Sequence, residues 1–128
     1  MNFNKINLSF LNKEQASAIP SPTERQFALR VLDAGCEIAH QIPVGDSVID
    51  FFVVNPNNPR SLGKLVETTH MTREQMNQKT ITKNVNGKKR RVANDTGMRK
   101  QRQEAAMESS GLPWTIMFGD NLDNIFNR

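Results

Sequence analysis

The chain has 128 residues, a formal net charge of +4 at pH 7 and a single cysteine, Cys36. This length allows one hydrophobic core, and we expect a single domain at 21–128 after an N-terminal arm at 1–20. One cysteine excludes both an internal disulfide framework and a zinc site built from several cysteines. No apolar run approaches the ~18 residues of a spanning helix, and no secretory signal is apparent. We therefore expect a cytoplasmic protein.

The charge is divided unevenly along the chain. Between Lys79 and Arg102 there are nine Lys or Arg residues and only Asp95 in opposition, a local charge of +8 that leaves −4 elsewhere. This division predicts a basic element that meets a polyanion and an acidic site in the body of the protein. Membrane binding is the competing interpretation, but the basic stretch has too few large apolar residues for an amphipathic stripe. We expect no membrane partner.

The first half of the chain predicts a helix followed by three strands. Ser21 through Glu24 form a capping-box pattern with Pro22 at the first helical position, and Gly35 ends the helix. Strands are expected at 37–43, 48–54 and 64–69, with a turn at 44–47 and a loop at 55–63. The second strand is apolar on both faces and therefore central, so Asp50 within it needs a partner.

The second half predicts a ribbon, a helix and a last strand. After a short helix at 72–78, two strands at 80–85 and 88–92 flank Asn86-Gly87, the strongest short-range signal for a hairpin. A second helix is expected from about 96 to 110, closing at Gly111. A strand at 113–118 and a helical turn at 121–126 complete the expected order α, β, β, β, ribbon, α, β.

Two carboxylates are expected to meet on the central strands. Side chains alternate across a strand, so Leu65, Glu67 and Thr69 share one face. If the second and third strands are neighbours, Asp50 and Glu67 can share a hard cation through their oxygens. The alternative is structural, with Asp50 closing a strand end and Glu67 pairing with Lys64 or a basic helix. Their positions on consecutive strands favour a site.

The chain resembles the PD-(D/E)XK nuclease superfamily, and is most similar to the branch related to very-short-patch-repair endonucleases. The resemblance implies a restriction-endonuclease-like αβββαβ core, in which a central mixed sheet is flanked by helices. The basic β-hairpin expected at about 79–93 is an insertion that the resemblance does not cover. The resemblance also implies Mg²⁺, or Mn²⁺, held by Asp50 and Glu67. The matching segments are Thr23-Glu24-Arg25, Gly35, Gln41 to Gly45, Ile49-Asp50-Phe51, Leu65-Val66-Glu67, Arg99 to Arg102, Gly111 and Trp114 to Phe118.

The sequence departs from the motif at Thr69, which stands where the superfamily usually has Lys. The very-short-patch-repair branch lacks this Lys and uses His and Thr nearby, so the resemblance makes Thr69 and His70 candidates. His70 would be a general base or phosphate contact, or simply a solvated residue beyond a strand end. Many superfamily members place a Glu of the first helix in the metal site, which makes Glu24 a candidate. The capping box is the favoured interpretation of Glu24.

The first strand carries two further polar residues, Gln41 and His40. Gln41 could reach the site, although glutamine on a half-exposed strand is ordinary. Strict alternation places His40 on the opposite face, where we expect no role for it.

A basic surface for DNA is expected beside the site. Lys88, Lys89, Arg90 and Arg91 would project from the narrow ribbon, a shape that fits a DNA groove or follows its backbone. The alternative is a solvated charged loop. The ribbon lacks aromatic residues for stacking on unpaired bases, which favours duplex or branched DNA. The following helix adds three cations, Arg99, Lys100 and Arg102.

The function expected from these features is a metal-dependent DNA endonuclease that hydrolyses phosphodiester bonds in duplex or branched DNA. Two alternatives stay open. One is a nuclease-derived DNA-binding protein without catalysis, because the motif Lys is missing. The other is a subunit that cleaves only as a homodimer or with a protein partner.

Overall fold

A computed structural model of the protein describes residues 9–57 and 63–118, which form an α/β structure. The helices are α1 (Lys13–Ser17), α2 (Pro22–Asp33), α3 (Arg73–Asn77) and α4 (Asp95–Ser109). The strands are β1 (Glu37–Val44), β2 (Ser47–Val54), β3 (Lys64–Thr68), β4 (Thr80–Val85), β5 (Lys88–Ala93) and β6 (Trp114–Met117). The order predicted from the sequence is confirmed to within one or two residues at most ends. The helical turn expected at 121–126 lies outside the described residues.

Four strands form a mixed sheet in the order β1-β2-β3-β6. The pairs β1–β2 and β2–β3 are antiparallel, and β6 runs parallel to β3. Phe51 of β2 packs in a cluster with Phe27 of α2, and Phe52 packs in a second cluster with Met107 of α4. Helices therefore cover both faces, which confirms that β2 is central. In the described ranges, no helix combines the length and apolar character needed to cross a membrane.

The described part of the N-terminal arm packs on the core. Asn12 and Gln15 form a capping box at the start of α1, and Ala16 of this helix is fully buried. Leu11 N–H donates to the Ile38 carbonyl at 2.8 Å, which fixes the arm beside β1. Asn12 and Gln15 have the spacing of a capping box. The sequence did not predict α1, because the apolar residues around this pair follow no regular period.

The alternation of side chains in β1 and β2 reverses where Gln41 lies opposite Asp50. Ile38 and Ile42 are four residues apart, so strict alternation would place them on one face, yet they lie in opposite core clusters. Phe51 and Ile49 are two residues apart, and they likewise lie in different core clusters. The cause is local, because Gln41 adopts a left-handed conformation with φ of 62°.

The predicted basic ribbon is confirmed as β4 and β5, joined by Asn86 and Gly87 with φ of 52° and 80°. Cross-strand partners share a face, so Lys83 and Arg90 lie on one side of the ribbon. Alternation places Arg91 on the other side, together with its partner Thr82. The exposed cations are thus divided between both faces of the ribbon.

Asn94 ties the ribbon to α3 and α4. This fully buried side chain donates from Nδ2 to the carbonyls of Gln75 and Gln78, at 2.9 and 2.8 Å. Its Oδ1 accepts from Gly97 N–H at 3.1 Å and so caps α4. A Cβ on Gly97 would lie 2.2 Å from Asn94 Nδ2, so only glycine fits there. The three elements are held in one fixed arrangement.

Candidate functional site

Asp50 and Glu67 interlock where the two central strands separate. Backbone pairing between β2 and β3 runs from Val53 to Phe51. Beyond Phe51, hydrogen bonds between backbone and side chains connect the two strands. Asp50 N–H donates to Glu67 Oε1 at 2.9 Å, and Thr68 N–H donates to Asp50 Oδ2 at 2.9 Å. Thr68 Oγ1 donates to the same Asp50 oxygen at 2.9 Å. The structure therefore brings the two carboxylates together and gives each a backbone partner.

Lys100 of α4 contributes a cation to this pair. Its Nζ donates to Glu67 Oε2 and, at 3.1 Å, to the Thr68 carbonyl. The Lys100 side chain is 12% exposed and that of Glu67 is fully buried. The sequence grouped Lys100 with the cations expected to contact DNA, and the structure places its side chain against Glu67 and largely out of solvent. The reason is helical spacing, because Lys100 lies three residues from both Gly97 and Gln103, which are buried.

The carboxylates carry more negative charge than Lys100 neutralises. Burial, followed by the charge of Asp50, raises the pKa of Glu67 to about 7 against the opposing attraction of Lys100. Burial also raises the pKa of Asp50, although the Thr68 N–H opposes this. The pair therefore binds protons more readily than ordinary carboxylates. A cation placed between them would relieve the same repulsion.

A third carboxylate, Glu24, enters the site from α2. The Ser21 hydroxyl accepts from Glu24 N–H at 3.3 Å, which is the first half of the predicted capping box. The return half is replaced, because Glu24 Oε1 lies 2.9 Å from His40 Nε2. The charge of Glu24 also contributes to the raised pKa of Asp50. The structure thus places Glu24 both at the helix cap and in the site.

His40, to which the sequence assigned no role, contacts the cavity residue Glu24. Its ring stacks on Phe51 with centroids 5.0 Å apart. Gln41 Nε2 lies 3.2 Å from the same His40 Nε2 that contacts Glu24. Since that nitrogen carries at most one proton, donation to the Glu24 carboxylate is the stronger arrangement. Sequence alternation missed His40 because its contact with Glu24 depends on how α2 packs on the sheet.

Asp50, Glu67, Glu24 and Lys100 border a cavity of about 400 Å³. Thr69 is buried, and its Oγ1 accepts from Met71 N–H at 3.1 Å, whereas His70 is exposed. Of the predicted DNA contacts, Arg99 lines the cavity beside Lys100. The ribbon cations and Arg102 do not line it. The full lining is Ser21, Thr23, Glu24, Gln41, Val48, Asp50, Glu67, Thr68, Thr69, His70, Thr96, Arg99, Lys100 and Gln103.

Gln103 is a cavity residue that the sequence did not suggest. Its Nε2 donates to the Val48 carbonyl at 2.8 Å, which fixes the orientation of the amide. Its buried Oε1 has no hydrogen-bond partner among the described residues. The available signal was helical spacing, because Gln103 lies three residues after Lys100 and so on the same face of α4.

The carboxylate oxygens of Asp50 and Glu67 are the kind of ligand that a hard, hydrated cation prefers. Among residues 9–57 and 63–118, no group of three or more His, Cys, Asp or Glu side chains is arranged to hold a metal. In the same ranges no residue donates a hydrogen bond to Asp50 Oδ1, and each Glu67 oxygen accepts one. A carboxylate oxygen has two lone pairs. The lone pairs left on these oxygens could take part in binding a hard cation that keeps several of its waters.

Comparison with known proteins gives no family for this chain: no family model matches it, and neither does any curated protein or solved structure.

Proposed function

We propose that this chain is a metal-dependent DNA endonuclease with the restriction-endonuclease-like core of the PD-(D/E)XK superfamily, related to its very-short-patch-repair branch. The interlock of Asp50 and Glu67 at the separating central strands is the observation that carries the proposal. The sheet order β1-β2-β3-β6, with β6 parallel to β3, supports it. The nearby basic ribbon supports DNA as the substrate.

Asp50 and Glu67 would hold the metal ion. When bound, Mg²⁺ would supply a water of lowered pKa and would stabilise charge on the phosphate oxygens. The residues themselves favour a cation, since two carboxylates share one ammonium and their pKa values are raised. Glu24 adds a third negative charge to the same cavity.

Lys100 offers the positive charge that the motif position lacks. The motif places Lys two residues after the second acid, and here that residue is Thr69. Lys100 instead brings its ammonium to Glu67 from α4. A buried ammonium beside the carboxylates can hold a water or stabilise charge on a phosphate oxygen. The missing motif Lys therefore does not leave the cavity without a cation.

Two further residues suit substrate handling. His70 is exposed at the cavity, and its imidazole could serve as a general base or a phosphate contact. Arg99 lines the same cavity, and its guanidinium can bind a phosphate through two parallel hydrogen bonds.

A nicking assay tests the proposal on supercoiled, linear and branched DNA with Mg²⁺ or Mn²⁺. We expect Asp50→Asn and Glu67→Gln to lose at least about 100-fold in rate, because removing an electrostatic contact to the reacting group typically costs that much. Asp46→Asn is the matched control, since Asp46 lies exposed in the β1–β2 turn. Thermal unfolding of each variant checks the fold. Unchanged cleavage by Asp50→Asn would refute the proposal.

A second candidate is a DNA-binding protein without catalysis. It is favoured by the hydrogen bonds that Glu67 accepts on both oxygens, because these hold the strands without a metal. Salt-dependent DNA binding with no cleavage, and no Mg²⁺ binding by calorimetry, would select it. Light scattering with and without DNA tests whether cleavage needs a homodimer.

A further inference from the structure

A second cleft of about 370 Å³ lies between α3 and the ribbon. His70 lines both this cleft and the cavity that holds Asp50 and Glu67. The two concave surfaces are therefore neighbours on opposite sides of one histidine. A polymer that occupies the first can continue into the second.

The second cleft differs from the cavity in charge. Three carboxylates line the cavity, whereas no Asp or Glu is among the residues that line the cleft. Its polar groups include Arg91, the Thr82 hydroxyl, the Gln78 amide and His70, all able to donate hydrogen bonds. Met71 and Ile81 add an apolar patch. Cationic and neutral donors beside an apolar patch suit a sugar and its phosphate.

Arg91 is distinguished from the other ribbon cations by its placement. Its guanidinium donates to Thr80 Oγ1, a residue on the same face of the ribbon. This contact orients Arg91 before any ligand binds, which lowers the entropy cost of binding. Lys88 and Arg90 lie on the opposite face and do not line the cleft.

The cleft is fixed relative to the catalytic cavity. Asn94 holds the backbone carbonyls of Gln75 and Gln78, whose side chains line the cleft. The same side chain caps α4, which carries Lys100 into the cavity. The spacing between the two concave surfaces is therefore set by the fold.

We propose that the second cleft is a subsite for the phosphodiester next to the cleaved one on the same DNA strand, with Arg91 as its principal contact. This inference rests on the proposed nuclease function. It assigns Arg91 a role different from that of the other ribbon cations. Arg91 binds a defined phosphate in the cleft, whereas Lys88 and Arg90 contact DNA without a built site.

The test replaces single phosphates of a duplex by neutral methylphosphonates, one position at a time. In the wild-type protein we expect one position adjacent to the cut to weaken binding and cleavage by about tenfold, the value of a hydrogen bond to a charged group. Arg91→Gln should lose about the same factor and become insensitive to that substitution. Arg90→Gln, which removes the same charge from the opposite face, should keep the sensitivity.

Other outcomes separate the inference from the proposed function. If cleavage occurs but Arg91→Gln and Arg90→Gln respond alike at every position, the subsite is refuted and the nuclease stands. If DNA binds without cleavage, one Arg91-dependent position supports a phosphate site in the cleft, while catalysis and the position of that site beside a cleaved bond are refuted. Absence of both binding and cleavage overturns both. Hydrolysis of bis(p-nitrophenyl) phosphate, which is too short to reach the cleft, should be unaffected by Arg91→Gln.

Discussion

At the scale of single residues, Lys100 sets the charge of the cavity. It is the only cation in hydrogen-bond contact with Asp50 or Glu67 among the described residues. Its neighbour Arg99 lines the same cavity without bonding to either acid. Two adjacent cations of one helix therefore have separable effects.

We expect Lys100→Met to reduce DNA cleavage by about 100-fold or more while leaving the salt dependence of DNA binding unchanged. Arg99→Gln should weaken binding and reduce the slope of log affinity against log salt by about one. Fluorescence anisotropy at several salt concentrations and single-turnover cleavage measure the two effects. A Lys100→Met slope that falls as in Arg99→Gln would mean that Lys100 contacts phosphate.

The raised pKa of Glu67 predicts how stability depends on pH. Its value of about 7 lies above the ordinary 4.5, so the folded protein binds more protons than the unfolded chain between these pH values. The free energy of unfolding contributed by Glu67 is thus present below pH 4.5 and is lost as pH rises through about 7. Urea denaturation of the metal-free wild type and of Glu67→Gln at both pH values measures this difference. No difference between their pH profiles would contradict the prediction.

At the scale of elements, the hydrogen bonds of Asn94 hold the ribbon in place of the hydrophobic contacts that the ribbon lacks. The ribbon is exposed along most of both strands, so it has little apolar burial of its own. Three side-chain hydrogen bonds from Asn94 anchor its base to α3 and α4.

We expect Asn94→Ala to lower the free energy of unfolding by about 2–4 kcal/mol, because it removes a helix cap and the amide donor of the Gln75 and Gln78 carbonyls. Asn84→Ala is the matched control on the exposed ribbon, and should change stability by no more than about 0.5 kcal/mol. Chemical denaturation measures both. Equal effects would show that the Asn94 contacts do not anchor the ribbon.

The order of elements could be predicted from sequence because its signals are local. The Ser21 cap, the Asn86-Gly87 turn and the helix end at Gly35 act over a few residues and need no tertiary context. The proximity of Asp50 and Glu67 followed from strand adjacency. Contacts that depend on how the elements pack together could not be predicted.

The parts that could not be predicted depend on how elements dock. Lys100 reaches Glu67 across 33 residues only because α4 packs on the sheet. His40 meets Glu24 only because α2 packs on that face of the sheet. Neither contact follows from periodicity alone.

At the scale of the whole molecule, acidic and basic groups occupy separate places. The net charge of +4 combines buried carboxylates in the sheet with exposed cations on the ribbon. Such a division suits the proposed function, in which the surface attracts a polyanion and the carboxylates bind a cation. The ribbon charges should therefore affect binding and not folding.

We expect the triple substitution Lys88→Gln, Lys89→Gln and Arg90→Gln to lower the slope of log affinity against log salt by up to about three. The free energy of unfolding should change by no more than about 0.5 kcal/mol per site, since these side chains are exposed. Anisotropy titrations and thermal unfolding provide the two values. An unchanged slope would identify the ribbon as a solvated hairpin.

The interlock between β2 and β3 gives the site two internal spectroscopic probes. The amide protons of Asp50 and Thr68 point at Glu67 Oε1 and Asp50 Oδ2, oxygens of the carboxylates that border the cavity. Any cation that draws charge from these oxygens must weaken both hydrogen bonds. The nuclear magnetic resonance signals of these two amides would then move, and their hydrogen exchange would quicken, even in a variant that cuts nothing. Occupancy of the site can thus be measured separately from chemistry.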